Sequence, residues 1–218
     1  MSKRVREQQG YTLIEMIIVI AIIAVVAGMS ILSVNLIHSA RAKNASTTVD
    51  SEIASLITRS KNMQVVIDGK KRPELQFAAR IYADDKGAYY FQKGYYDPKT
   101  KTYDFNNTDT EGEGKGMALS SSVVIKFTSD HYYFVSYAGG KWKEDAKPDN
   151  YSGSSVNEIE LKSLNTNGEG NPGAGGLFLR FAKDGTCEAG AGDIGFYKRS
   201  GNIVAHVLVR TNGSHQSR

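Results

Sequence analysis

The feature that most constrains this chain is an uncharged apolar run near its N-terminus. No Asp, Glu, Lys or Arg occurs between Met16 and Ile37, and a single acidic residue, Glu15, stands at the start of the run. As a helix, residues 11–37 would extend about 40 Å at ~1.5 Å per residue, which exceeds the ~30 Å hydrocarbon core of a bilayer. The run therefore predicts a transmembrane helix whose ionisable edge residue needs a partner.

The remainder of the 218 residues is polar and rich in Tyr and Gly, which predicts a water-facing domain attached to this segment. Lys3, Arg4 and Arg6 precede the run and favour a cytoplasmic N-terminus. Because the rest of the chain is nearly neutral, the net charge of +4 does not by itself indicate nucleic-acid binding. The single cysteine, Cys187, excludes a framework of intrachain disulfides.

Two ordinary explanations compete for the apolar run. A secretory signal peptide would be cut after the triplet Ala40-Arg41-Ala42, but the run is longer than the ~7–15 apolar residues of such peptides and Glu15 interrupts its start. A generic membrane anchor explains the length of the run. It explains neither the Gly10–Tyr11 junction nor the acidic residue.

The leader and the start of the run together resemble the class III signal of type IV pilins and type II secretion pseudopilins. A short basic leader ends at Gly10, the residues YTLIE follow at 11–15, and the apolar run comes next. The resemblance implies that a prepilin peptidase cuts between Gly10 and Tyr11 and that the new N-terminus at Tyr11 is N-methylated. Phe is the usual residue at that position, and Tyr11 retains its aromatic ring.

The resemblance also suggests a role for Glu15 in assembly. A carboxylate buried without a partner is costly, and cleavage would create an α-amine at Tyr11. When helices pack side by side, Glu15 of one subunit can meet the amine of its neighbour and fix the axial register. The simpler alternative is that Glu15 reaches the lipid head groups.

Beyond the run, the pattern predicts an amphipathic continuation of the same helix. Apolar residues recur at spacings of three and four, and no proline occurs between Tyr11 and Val66. We therefore predict one helix over residues 11–64, about 80 Å long, of which residues 11–37 serve membrane and filament core. The predicted stripe consists of Ala42, Ala45, Val49, Ile53, Leu56 or Ile57, and Met63.

The C-terminal part of the chain, residues 65–218, predicts a globular head of mostly antiparallel sheet. Strand-like runs alternate with turn signals such as Asp68-Gly69, and Ser129-Asp130 and residues 199–202 are predicted hairpin connections. The fold class is α+β, with a leader over residues 1–10, the long helix, and the head packed on its amphipathic half. The predicted strands are 75–83, 88–92, 123–128, 131–137, 156–162, 176–182, 193–198 and 203–209. Three predicted loops cover residues 97–116, 138–155 and 165–176.

The last strands resemble those of H-type minor pseudopilins and related minor pilins, some of which bind DNA through a basic tail. Residues 194–218 contain no acidic residue, which suggests phosphate contact. The tail after Gly213 carries a single arginine, so the Gly-Arg-rich ending of that group is not reproduced. Candidate DNA-binding residues are Lys198, Arg199, Arg210 and Arg218.

No catalytic motif is present, so the chain is interpreted as a structural subunit and not as an enzyme. Asp145, Asp149 and Asn150 are too few and too loosely spaced to predict a calcium site, and no metal or other cofactor is expected. His206, within an apolar strand, is expected to have a hydrogen-bonded structural role.

The expected partners are a prepilin peptidase, membrane lipid, other pilin or pseudopilin subunits and the assembly platform. DNA or a surface ligand would be a partner under the second hypothesis, that of a DNA-binding or adhesive minor pilin. The expected location is the cytoplasmic membrane, with the N-terminus inside and the head outside, and then a cell-surface or periplasmic filament.

Overall fold

The computed structural model describes residues 11–84, 86–105, 116–131, 135–138, 140–144, 156–161 and 176–218. Side chains at 30–34, 138 and 156–157 are outside the described set. The chain divides into two compact units, residues 1–38 and residues 39–218. The second unit contains all of the strands given below.

A single helix, α1, extends over Leu13–Asn62. The predicted helix is confirmed, with each end two residues inside the predicted bounds. The N–H of Met63 still bonds to the carbonyl of Arg59 at 2.8 Å, which closes the last turn. The absence of proline lets the backbone hydrogen bonds continue without a break.

Among the described residues, no helix has a stretch both long enough and apolar enough to cross a membrane. The described residues therefore do not support the prediction of a transmembrane segment over residues 11–37.

The C-terminal half of α1 buries the predicted apolar stripe. Ala42, Val49 and Ile53 are fully buried, and their spacing places them on one face of the helix. Ser46 and Ser60 complete this face, and the hydroxyl of Ser60 donates to the carbonyl of Leu56 at 2.9 Å. The prediction for Met63 was wrong: its side chain is 59% exposed because α1 has already ended at Asn62.

Fifteen strands follow in the described residues, and every pairing between them is antiparallel. They are β1 Val65–Ile67, β2 Lys70–Arg72, β3 Gln76–Ala83, β4 Tyr89–Asp97, β5 Thr102–Asp104, β6 Met117–Ser120, β7 Val123–Ser129, β8 Val135–Ala138, β9 Lys141–Glu144, β10 Val156–Glu160, β11 Leu177–Phe181, β12 Cys187–Ala189, β13 Gly192–Lys198, β14 Ile203–Val209 and β15 His215–Ser217. The predicted α+β class with a mostly antiparallel sheet is confirmed.

The strands form three sheets. β1 and β2 make a hairpin whose turn, Asp68-Gly69, has positive φ at both positions, as a type I′ turn requires. The second sheet has the order β10-β7-β13-β14-β15. The third has the order β12-β11-β3-β4-β5-β9-β8, with β6 paired to β4.

The main core lies among α1, the five-stranded sheet and one face of the eight-stranded sheet. Along β7, Val123, Ile125 and Phe127 are buried and alternate with half-buried residues. β14 shows the same alternation, because successive strand residues face opposite sides of a sheet. All of β11 is buried, with Leu177, Leu179 and Phe181 in the main core. Lys93 on β4 forms an ion pair with Glu52 on α1, which ties the helix to the eight-stranded sheet.

A second, aromatic core fills the other face of the eight-stranded sheet. The rings of Tyr103 on β5 and Phe178 on β11 are 5.0 Å apart, although three strand spacings of ~4.8 Å would separate them in a flat sheet. The sheet therefore curls over its own face. Gly94 on β4 permits this, since a Cβ there would meet the ring of Phe105 and the carbonyl of Asp104.

A buried ion pair lies inside this second core. The Arg180 guanidinium donates to Glu144 at 2.6 Å, and Tyr103 and Tyr96 donate to the same carboxylate at 2.6 and 2.8 Å. Burial and the Glu144 carboxylate raise the pKa of Tyr96 to about 12. Both tyrosines therefore stay protonated and act as donors.

Three predictions for loops and turns differ from the structure. The stretches 97–116 and 138–155 contain β5 and β9, which pair with each other through Tyr103 and Trp142. Ser129-Asp130 is not a hairpin, since β7 pairs with β10 and β13 whereas β8 pairs with β9. The hairpin at residues 199–202 is confirmed, because it connects β13 to β14.

Candidate assembly site

The N-terminal unit exposes a long series of apolar side chains. Exposure is 82% at Tyr11 and at least 47% at each large apolar side chain that is described between Leu13 and Ile37. A soluble monomer rarely presents so large a continuous apolar surface, so the surface calls for a covering partner. The exposed members are Tyr11, Leu13, Ile14, Met16, Ile17, Ile18, Val19, Ile20, Ile22, Ile23, Val25, Val26, Met29, Leu36 and Ile37.

Thr12 and Glu15 form a capping box at the start of α1. The backbone N–H and the hydroxyl of Thr12 donate to the Glu15 carboxylate at 2.8 and 2.9 Å. The N–H of Glu15 donates back to the Thr12 hydroxyl at 3.3 Å. This reciprocal arrangement satisfies two backbone donors at the helix start. Within its own subunit, Glu15 therefore caps the helix that it begins.

The predicted cleavage junction adjoins this cap. Gly10 lies outside the described residues, whereas Tyr11 is exposed and precedes the first helical residue, Leu13, by two positions. Tyr11 and Thr12 precede the helix, and the carbonyl of Thr12 accepts the first backbone hydrogen bond of α1 from the N–H of Met16 at 3.3 Å.

A comparison with protein families identifies this end of the chain. A family model described as the prokaryotic N-terminal methylation motif matches residues 5–31. The chain carries a prepilin-type N-terminus. The matched residues include Gly10, Tyr11 and Glu15. The match supports the interpretation of the chain as a pilin-type structural subunit that a prepilin peptidase processes. No curated protein and no solved structure matches the chain.

The four candidate DNA-binding residues do not converge. Lys198 and Arg199 lie at the β13–β14 turn, whereas Arg210 follows the far end of β14. The separation along that strand is roughly 25 Å at ~3.3 Å per residue. Arg218 pairs through its backbone with His206, in the middle of β14. The structure therefore provides no single basic site from these four residues.

The other candidate residues take structural positions or fall outside the described part. His206 contacts Asp193 at 3.0 Å on the outer face of the five-stranded sheet, as a hydrogen-bonded role predicts. Asp145, Asp149 and Asn150 lie outside the described residues. Within the described ranges, no three His, Cys, Asp or Glu side chains are grouped so that they could hold a metal ion.

Proposed function

We propose that this chain is a minor pilin or pseudopilin that assembles by helix bundling into a type IV pilus-like or type II secretion filament. The observation that carries the proposal is the prepilin-type N-terminus at residues 5–31, which leads directly into an exposed apolar helix. A surface of this kind is buried when several such helices pack together, and the hydrophobic effect then favours assembly.

Processing prepares the subunit for that step. A prepilin peptidase cuts between Gly10 and Tyr11, and Tyr11 becomes an N-methylated terminus with a cationic amine. Before assembly, lipid of the cytoplasmic membrane covers the apolar side chains, with the N-terminus inside and the head outside. After assembly, the helices of neighbouring subunits cover them in a cell-surface or periplasmic filament.

Glu15 selects the position of the incoming subunit. In the isolated chain its carboxylate accepts hydrogen bonds from Thr12, so the helix start is rigid and the carboxylate is held at the edge of the apolar surface. A carboxylate keeps further lone pairs for a neighbour's amine. In a low-dielectric filament core, a displaced register would leave both charges unpaired, which is costly.

The large head favours a minor subunit over a closely packed major one. It follows α1 from residue 65 onward and contains two cores, and the strands β11, β13 and β14 occupy the region that resembles H-type minor pseudopilins. This placement supports a role near the filament tip, where a bulky head meets fewer neighbours.

Substitution of Gly10 tests the proposal. In cells that contain a prepilin peptidase, we expect Gly10→Val to stay full-length and to be absent from filaments, because a branched side chain obstructs the scissile bond. The wild-type chain loses residues 1–10. The matched control is Gln9→Val, which should be cleaved, with mass spectrometry and filament immunoblots as measurements. Normal cleavage and assembly of Gly10→Val would count against the proposal.

A further inference from the structure

Two arginines that are distant in sequence meet at one turn of the head. Arg41 on α1 donates to the hydroxyl of Ser122 at 2.8 Å, and Arg199 in the β13–β14 turn donates to the carbonyl of Ser121 at 3.3 Å. Both arginines are exposed. In the part of the chain that the structure describes, no ion pair joins either guanidinium to a carboxylate. Each keeps several free N–H donors.

The β13–β14 turn carries a third cation. Lys198 ends β13 directly before Arg199. We call Arg41, Lys198 and Arg199 the Arg41–Arg199 patch.

The patch lies next to the apolar segment along the chain. Arg41 follows Ile37, the last residue of the uncharged run, by four positions in the sequence. If lipid covers that run, as the proposed function has it, a basic residue this soon after it in the sequence is expected at the level of the head groups. Arginines that follow an apolar segment commonly extend toward that interface.

We infer that the Arg41–Arg199 patch binds the phosphates of anionic lipid head groups while the subunit awaits assembly. This inference rests on the proposed function, which places the apolar segment in the membrane. Guanidinium groups bind phosphate oxygens through paired N–H donors. Each basic residue at an anionic surface strengthens binding ~5-fold. Contact with lipid keeps the head at the membrane until contacts with other subunits replace the lipid contact.

The test uses the full chain reconstituted into phosphatidylcholine vesicles with or without phosphatidylglycerol. We expect amide hydrogen exchange in residues 199–203 to slow at least ~5-fold when phosphatidylglycerol is present, and to recover at high salt. The double variant Arg41→Gln/Arg199→Gln should lose this slowing. The matched control Arg210→Gln/Arg218→Gln removes the same charge away from the patch and should retain it. Exchange of β3 and β4 amides, away from residues 199–203, reports whether each variant is folded.

Equal exchange of residues 199–203 in both kinds of vesicle would overturn the inference. So would a control variant that loses the slowing by phosphatidylglycerol as fully as the Arg41→Gln/Arg199→Gln variant does. Slowing by inorganic phosphate or duplex DNA in phosphatidylcholine vesicles, to the extent seen with phosphatidylglycerol, would also overturn it, since the ligand would then not be lipid. Flotation of the chain with phosphatidylcholine vesicles distinguishes the proposed membrane state of the apolar segment from the proposed lipid contact of the patch. A chain that floats but shows no lipid-dependent exchange contradicts only the patch, whereas a chain that does not float contradicts the proposed membrane state.

Discussion

Glu15→Gln is expected to leave processing intact and to lower incorporation into filaments by roughly tenfold or more, because an uncompensated buried charge at an interface is costly. The glutamine amide can still accept the hydrogen bonds from Thr12, so the capping box is kept while the charge is lost. The neighbour's amine would then be buried without a counter-charge. Filament immunoblots normalised to cleaved subunit measure the effect.

Thr12→Val is the matched variant for this prediction. It removes the hydroxyl of the capping box and weakens the helix start by about 1 kcal/mol, but it leaves the Glu15 carboxylate in place. We expect cleavage and incorporation close to wild type. If Thr12→Val lost incorporation and Glu15→Gln did not, Glu15 would act only as a cap of its own helix.

Glu144→Gln is expected to lower the free energy of unfolding by about 2 kcal/mol, because hydrogen bonds to a charged acceptor in the second core are weakened, while Arg180 keeps its ion pair with Glu188 at 3.2 Å. The side chains of Glu144 and Arg180 are 8% and 9% exposed, and Glu144 also accepts from Tyr96 and Tyr103. Denaturant unfolding of the full chain in detergent measures the loss. Trp142, the single tryptophan, lies in the second core and reports the transition.

The control is Glu158→Gln, which removes a carboxylate from an exposed pair. Lys126 and Glu158 are 3.3 Å apart, and the Glu158 side chain is 60% exposed. Pairs of this kind contribute about 1 kcal/mol or less. A loss for Glu144→Gln no larger than for Glu158→Gln would show that the second core does not depend on its buried ion pair.

Patterns local in sequence predicted their elements well. The spacing of Ala42, Val49 and Ile53 identified the buried face of α1, and alternation along β7 and β14 identified two central strands. The capping box was also visible, since a threonine three residues before a glutamate at the start of an apolar run is its signature. Because only the charge of Glu15 was considered, its role as a cap of its own helix was not predicted.

The second core was missed because its residues come from stretches with loop-like composition. Tyr103 lies in a segment rich in Lys, Thr and Asp, and Trp142 lies between two lysines. The short strands β5 and β9 form because they pair with each other and extend a curled sheet. Curling brings Trp142 against Phe178, and no local pattern encodes that long-range contact.

The positions of the basic residues also depend on long-range strand pairing, which local sequence patterns do not encode. A count of cations in residues 194–218 grouped Arg199 with Arg210, but β14 separates them. The structure instead brings Arg199 to the turn that Arg41 contacts. Composition suggested phosphate contact, and only the strand pairing shows which cations lie near one another.

Intact-mass determination and N-terminal sequencing of the chain purified from its native host test the proposed processing most directly. The predicted product begins at an N-methylated Tyr11 and lacks residues 1–10. A chain that still begins at Met1, or one that begins after Ala42, would contradict processing by a prepilin peptidase and the assembly that depends on it.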